Sequence, residues 1–418
     1  VRPSGDAPGP GADDRHSIRF GARHGCADER VVPDAAPHPH TVPALRRQHH
    51  DEERTMTTDD RPAGTTPGTA LVVGATGIAG SALVEKLLAD GWPVLALSRR
   101  PGAAREDVRW LSADLTSAEA LATVLAPERP THVFFTAWSR RDTEEENIEV
   151  NAGMLRDLLA ALRGKDVAHV ALMTGLKHYL GPFEAYAAGE MADTPFHEEE
   201  PRLPVRNFYY AQEDELFAAA ADQGFTWSVH RAHTVIGHAV GNAMNMGLTL
   251  ATQAALCRDA GEPFVFPGSE TQWNGLTDMT DAGLLAEHML WASTTPAGAD
   301  EAFNIVNGDV FRWRWMWPQL AAHFGVDWEG YDGAPRPLEQ AMAGRQDQWA
   351  DLAARHGLAE PRLDRMASWW HTDSDLGRGI EVVTDMGKSR VAGFTGYRRT
   401  LDAFTDLFER YRAEKLIP

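Results

Sequence analysis

Between residues 69 and 91 the chain reads TALVVGATGIAGSALVEKLLADG: a short β-branched strand, a glycine-rich turn and an amphipathic helix in direct succession. No other stretch constrains the fold as much, because the spacing of Gly74, Gly77 and Gly80 acquires meaning only between a strand and a helix. The first glycine permits a tight turn, the second lets a phosphate approach the backbone, and the third lets the helix pack closely on the strand. Thr76 and Ile78 fall inside this turn, and the amides that open the helix complete an anion cradle. The expectation is a dinucleotide-binding βαβ unit.

The next strand, WPVLALSRR, ends on Ser98, Arg99 and Arg100, where an NAD-specific fold usually carries an acid for the ribose hydroxyls. Two guanidinium groups there suit a 2′-phosphate, so NADPH (NADP+) is expected over NADH. VRWLSADLT places Asp114 and Leu115 after a third strand, near an adenine; a helix cap explains Asp114 nearly as well. THVFFTAW brings Thr136, Ala137 and Trp138 to the end of a fourth strand, VAHVALMTG brings Thr174 to the end of a fifth, and FTWSVHRAHTVIG resumes the sheet. This alternation predicts an α/β fold with a Rossmann-type doubly wound parallel sheet, its ligands outside the C-terminal strand ends.

From about residue 240 helical patterning dominates. The expected division is a tail over 1–68, disordered or non-native, an NADP-binding Rossmann core over 69–240, and a mostly helical substrate-binding and lid region over 241–418 with some strands returning to the core. The tail is rich in Pro, Gly and His without core-forming periodicity. It contains six of the 17 histidines, read as solvated rather than as a metal tract, and the first methionine is Met56, which suggests an upstream misassigned start. A formal charge of −20 argues against a nucleic-acid partner. Cys26 and Cys257 provide neither a disulfide framework nor a metal motif, and no apolar run reaches the ~20 residues of a membrane span. A cytoplasmic protein is expected, with no membrane partner, and a homodimer is compatible with the sequence. Trp313, Trp315 and Trp317 are read as core, and Met244 and Met246 as pocket or core.

Reduction of a carbonyl or conjugated carbonyl requires a donor at the oxygen where negative charge develops. A tyrosine hydroxyl beside a lysine ammonium meets that need, usually as Tyr-x-x-x-Lys on one helix face. This chain breaks the pattern. Tyr210 opens YAQED, so Asp214 stands at the lysine position, and Tyr209 would face Glu213; the lysine near the expected strand end is Lys177.

GATGIAG (74–80), SRR (98–100), THVFFTAW (131–138), TGLKHYLGPFE (174–184), NFYYAQED (207–214), TWSVHR (226–231), EAFNIVNGDVFRW (301–313) and the closing GFTGYRRTLDAFTDLFERYRAEKLIP together resemble the progesterone 5β-reductase and iridoid synthase-like family. That is an atypical branch of the extended short-chain dehydrogenase/reductases, with this chain as a bacterial-type member. The resemblance spans roughly 69–418. It implies Lys177 and Tyr210 as the catalytic pair and NADPH-dependent reduction of the C=C bond of a small apolar enone, with hydride going to the β-carbon. The enolate is held by the tyrosine, and the α-carbon is protonated from solvent. It also implies Trp138 and Phe183 as pocket residues, with Met244 a further candidate. Asn207 is expected to cap its helix and His178 to be satisfied by backbone. Departures from the plant enzymes concentrate at 185–205 and 232–245, where substrate-facing loops belong. The alternatives are a 1,2-carbonyl reductase or alcohol dehydrogenase using the same pair, and a non-enzymatic NADP(H)-binding protein; an epimerase or dehydratase would normally retain Tyr-x-x-x-Lys.

Overall fold

A computed structural model describes residues 68–182 and 193–418 of the chain. The tail over 1–68 and the pocket candidate Phe183 therefore fall outside the described residues, except for Gly68. Seven parallel strands form the central sheet: β1 (Ala70–Val73), β2 (Val94–Ser98), β3 (Val108–Ser112), β4 (His132–Phe135), β5 (His169–Gly175), β6 (Thr226–Ala232) and a last strand, Glu301–Ile305. Their spatial order is β3-β2-β1-β4-β5-β6 followed by Glu301–Ile305. The order reverses between β1 and β4, which opens a crevice at the C-terminal strand ends.

Helices α1 (Ile78–Ala89), α2 (Ala118–Leu125), α3 (Glu144–Ala161), the single-turn α4 (Lys177–Leu180) and α5 (Phe208–Gln223) connect these strands. Because successive strand residues point to opposite faces, the aliphatic strands feed two cores. Ala70, Val72, Ala96, Phe134 and Ala171 pack with α1 and the helix Ala282–Thr294. Leu71, Val73, Leu95, Leu97, Phe135, Val170 and Leu172 pack with α2, α3 and α5 through Leu121, Leu155, Leu158 and Leu216. A sheet covered on both faces calls for the near-continuous apolar strands seen here.

The C-terminal helices build a third core around Trp313, Trp317, Trp349, Phe404 and Phe408. Trp317 stacks on Phe264 with ring centroids 4.0 Å apart and donates to the Phe264 carbonyl at 2.9 Å. Trp315, expected in the core with its neighbours, is 48% exposed, because it lies on the opposite face of its helix. Among the described residues, no helix is long and apolar enough to cross a membrane.

Candidate active site

Gly74 has φ +85°, a conformation L side chains rarely adopt, and its amide donates to the Leu97 carbonyl at 3.0 Å. A Cβ on Gly80 would lie 2.2 Å from the Gly74 carbonyl oxygen, so only glycine allows α1 to come this close to β1. Gly77 is the N-cap of α1 and supplies no side-chain oxygen to the first-turn amides, which leaves those donors for a phosphate. The turn therefore fits a dinucleotide pyrophosphate.

Arg99 and Arg100 are exposed at the end of β2, as is Asp114 after β3. Ser98 is buried and donates to the Arg100 carbonyl at 2.6 Å, while Ser112 donates to the Arg99 carbonyl at 3.2 Å; these bonds hold the arginine loop. Ser117, not Asp114, caps α2. Asp114 accepts from the Thr116 amide and hydroxyl, which holds its carboxyl below the usual range. Leu115 is core, and Thr76 is exposed in the glycine turn.

Next to this cradle lies a cavity of about 220 Å³. Of the residues singled out from sequence, Gly77, Ile78, Thr136, Ala137, Trp138, Thr174, Lys177 and Met244 line it. Met246 instead lies in the C-terminal core. Thr136 donates to the Val73 carbonyl at 2.8 Å, tying the end of β4 to β1. Trp138 stacks on Phe208, centroids 5.8 Å apart and 9° from parallel, and the Lys177 ammonium is 5.5 Å from the centroid of the same Phe208 ring.

The two adjacent tyrosines, 209 and 210, take different places. Tyr210 points away from the cavity: its hydroxyl donates to the His178 carbonyl at 2.6 Å and accepts from the Leu203 amide at 2.9 Å. Tyr209 is the one that lines the cavity with Lys177. Adjacent helical residues differ by about 100° in direction, so both rings could not face one site. Gly175 makes room for Tyr209: a Cβ there would sit 3.2 Å from the Tyr209 hydroxyl oxygen. Burial, reinforced by the Glu144 carboxylate, pushes the Tyr209 hydroxyl well above its ordinary pKa, which keeps it protonated as a donor.

Asp214, at the position where lysine was missing, pairs with Arg202 at 2.7 Å, and buried Glu213 accepts from the same guanidinium at 2.7 and 3.2 Å. These acids clamp the segment around Leu203 onto α5. Asn207 caps α5 as expected, accepting from the Tyr210 amide at 3.0 Å, and it donates to the Lys177 carbonyl at 3.3 Å. His178 Nε2 meets the Glu200 carbonyl at 3.1 Å, and burial lowers its pKa to about 4. From the segment 232–245, His233, Thr234, Val235 and Asn242 also line the cavity. Sequence reasoning missed the wall formed by Trp370, His371, Ser374, Asp375 and Arg378. The first four lie on the helix Trp369–Leu376, and their i, i+1, i+4, i+5 spacing is the only signal that could have grouped them.

A sequence profile of the PRISE-like Rossmann-fold domain matches residues 112–418. The chain belongs to that family. A 3-oxo-Delta(4,5)-steroid 5-beta-reductase of Arabidopsis thaliana is 37% identical over 374 residues, covering 86% of this PRISE-like chain and 96% of the relative. An (S)-8-oxocitronellyl enol synthase of Nepeta cataria is 38% identical over 362 residues, covering 84% and 93%. Among solved structures, the UDP-glucose 4-epimerase of Thermotoga maritima with UDP-glucose aligns with a TM-score of 0.59 at 17% identity, covering 83% of this chain and 99% of its own. The Thermus thermophilus UDP-glucose 4-epimerase in complex with NAD aligns at 0.57 and 21%, covering 82% and 99%. At these identities the likeness is one of fold, an extended α/β Rossmann architecture.

Proposed function

We propose that this protein is an NADPH-dependent reductase of the C=C bond of α,β-unsaturated carbonyl compounds. The observation that carries the reading is the meeting of Tyr209 and Lys177 on one cavity beside the glycine cradle. The names of the plant relatives, a steroid 5-beta-reductase and an enol synthase, agree with chemistry that passes through an enolate.

Gly74, Gly77, Gly80 and the first amides of α1 would hold the cofactor pyrophosphate, with Arg99 and Arg100 at the 2′-phosphate and Thr136, Ala137 and Thr174 near the nicotinamide. When bound, the reduced nicotinamide supplies the hydride that the β-carbon receives. Tyr209 donates its hydroxyl hydrogen to the substrate oxygen as that oxygen becomes an enolate, and Lys177 adds positive potential beside it. Trp138 and Phe208 give the reacting carbons an apolar wall on one side and leave the other open to solvent. The α-carbon then takes a proton from solvent. In this reading residues 69–240 hold the cofactor, and 241–418 close over the substrate with Glu301–Ile305 returning to the sheet. It also takes the chain to be a bacterial-type, cytoplasmic member of the family.

Incubation with NADPH and 2-cyclohexen-1-one, with the product identified, tests the proposal. Cyclohexanone is expected. The allylic alcohol 2-cyclohexen-1-ol would make the protein a carbonyl reductase, and NADPH binding without turnover across an enone panel would make it a binding protein.

A further inference from the structure

Lys177 opens α4, and a helix of a single turn is too short to hold itself in place. Leu176 stands at its N-terminus and offers no side-chain cap. The direction of the turn must therefore come from bonds to other elements. Two run to α5, from Asn207 to the Lys177 carbonyl and from Tyr210 to the His178 carbonyl. A third runs from a side chain of the turn itself, Tyr179.

Tyr179 stands two positions beyond Lys177, so the two side chains leave the helix about 200° apart. Lys177 lines the cavity, while Tyr179 is buried away from it. The Tyr179 ring stacks on Phe196, centroids 4.9 Å apart and 3° from parallel. Its hydroxyl donates to Asn304 Oδ1 at 2.7 Å and accepts from Arg231 Nη1 at 3.2 Å. These roles are fixed by the partners. An arginine nitrogen only donates, and Asn304 Nδ2 is taken by the Phe196 and Asp385 carbonyls at 3.1 and 3.0 Å, which leaves Oδ1 to accept. Burial pushes the Tyr179 hydroxyl up to about 12, so it keeps its hydrogen. Arg231 and Asn304 are buried on β6 and on Glu301–Ile305, where they are register partners in adjacent parallel strands. The Tyr179 hydroxyl thus ties the turn to the sheet.

We infer that Tyr179, held by Asn304 and Arg231, is a positioning residue for the reduction: it anchors the far face of α4 so that the Lys177 ammonium is presented to the cavity. The inference rests on the reductase reading and adds a residue to it. The test is a double-mutant cycle on the full chain with 2-cyclohexen-1-one, each rate taken in single turnover with NADPH so that slow variants are read on the same scale. Tyr179→Phe keeps the ring and its stack on Phe196 and loses only the hydroxyl. It should lower the maximal rate about tenfold, while the enone concentration giving half that rate and the affinity for NADPH, read by fluorescence quenching, stay within about twofold of the parent. In a Lys177→Met background the same substitution should change the rate by less than about twofold, because no ammonium is left to misplace. A bond that served stability alone would cost the same factor in both backgrounds. Tyr179→Phe as fast as the parent, or a loss of equal size with and without Lys177, overturns the positioning role and leaves the reductase reading standing. A parent that binds NADPH and leaves the enone unreduced overturns the reductase reading, and the role of Tyr179 with it.

Discussion

Replacing each of two adjacent tyrosines by phenylalanine separates catalysis from scaffolding. Tyr209 faces the cavity, so Tyr209→Phe removes the oxyanion donor; turnover should fall by about 10²–10³, or about 2.7–4 kcal/mol of transition-state stabilisation. Its thermal midpoint should change little. Tyr210→Phe removes a hydroxyl that bonds the His178 carbonyl at 2.6 Å and the Leu203 amide at 2.9 Å. Those two buried backbone groups lose their partner at a cost of about 2 kcal/mol. At roughly 2.1 cal/mol/K of unfolding entropy per residue, a unit of about 350 residues has about 0.7 kcal/mol/K, so the midpoint should drop by about 3 °C. NADPH oxidation with 2-cyclohexen-1-one and a thermal scan of the same preparations measure both effects. An active Tyr209→Phe beside a dead but fully stable Tyr210→Phe would refute this division of roles.

Arg99→Ala combined with Arg100→Ala should shift the kcat/KM ratio from NADPH toward NADH by at least tenfold through loss of the 2′-phosphate contacts; an unchanged ratio removes these residues from that role. Gly80→Ala puts a methyl group 2.2 Å from the Gly74 carbonyl oxygen, so cofactor binding, read by fluorescence quenching, should weaken by more than tenfold, and unaltered affinity would show that α1 can move away freely. Histidines 169, 230 and 288 form a buried chain with Ser228 through contacts of 2.8 Å. Burial holds all three below their ordinary pKa, His169 and His288 down to about 3. The unfolded chain takes up these protons below about pH 6.5, whereas the folded one keeps His169 and His288 neutral until near pH 3, so stability is retained above 6.5 and lost as pH falls through that window. At pH 5 the loss is about 2 kcal/mol for each of His169 and His288, and a thermal midpoint equal at pH 7 and pH 5 would contradict it.

The glycine turn was legible in the sequence because a close backbone approach excludes every side chain, so Gly74 and Gly80 are demanded by sterics alone. The strands were legible for a related reason: a sheet buried on both faces needs continuous apolar runs such as ALVV and HVALMTG. Which tyrosine enters the cavity was not, because that depends on the register of the first turn of α5, and the cap and the packing of residues 202–203 set that register. The wall at 370–378 was hidden for another reason. It meets Lys177 only through the tertiary fold, nearly 200 residues along the chain, on a helix of eight residues too short for a distinct periodic signal. The four residues 207–210 divide four tasks: Asn207 caps, Phe208 packs on Trp138, Tyr209 faces the cavity and Tyr210 braces the loop.

Asn207 also explains how the site dispenses with Tyr-x-x-x-Lys. In that motif one helical turn fixes the distance between tyrosine and lysine. Here the lysine comes from the start of α4, just after β5, and the tyrosine from the start of α5, and a cap joins them. One Asn207 side chain accepts from the Tyr210 amide and donates to the Lys177 carbonyl, while Glu144 accepts from the Phe208 amide at 2.8 Å. The helix start that carries Tyr209 is therefore bonded to the backbone that carries Lys177. With the lysine supplied from elsewhere, the positions four residues beyond the tyrosines are available to acids. Glu213 and Asp214 use them to hold Arg202, whose guanidinium lies 4.9 Å from the centroid of the Tyr210 ring. Under the proposed function Lys177 serves where the motif would place a lysine at 214, and the acids at 213 and 214 secure the segment on which Tyr210 leans.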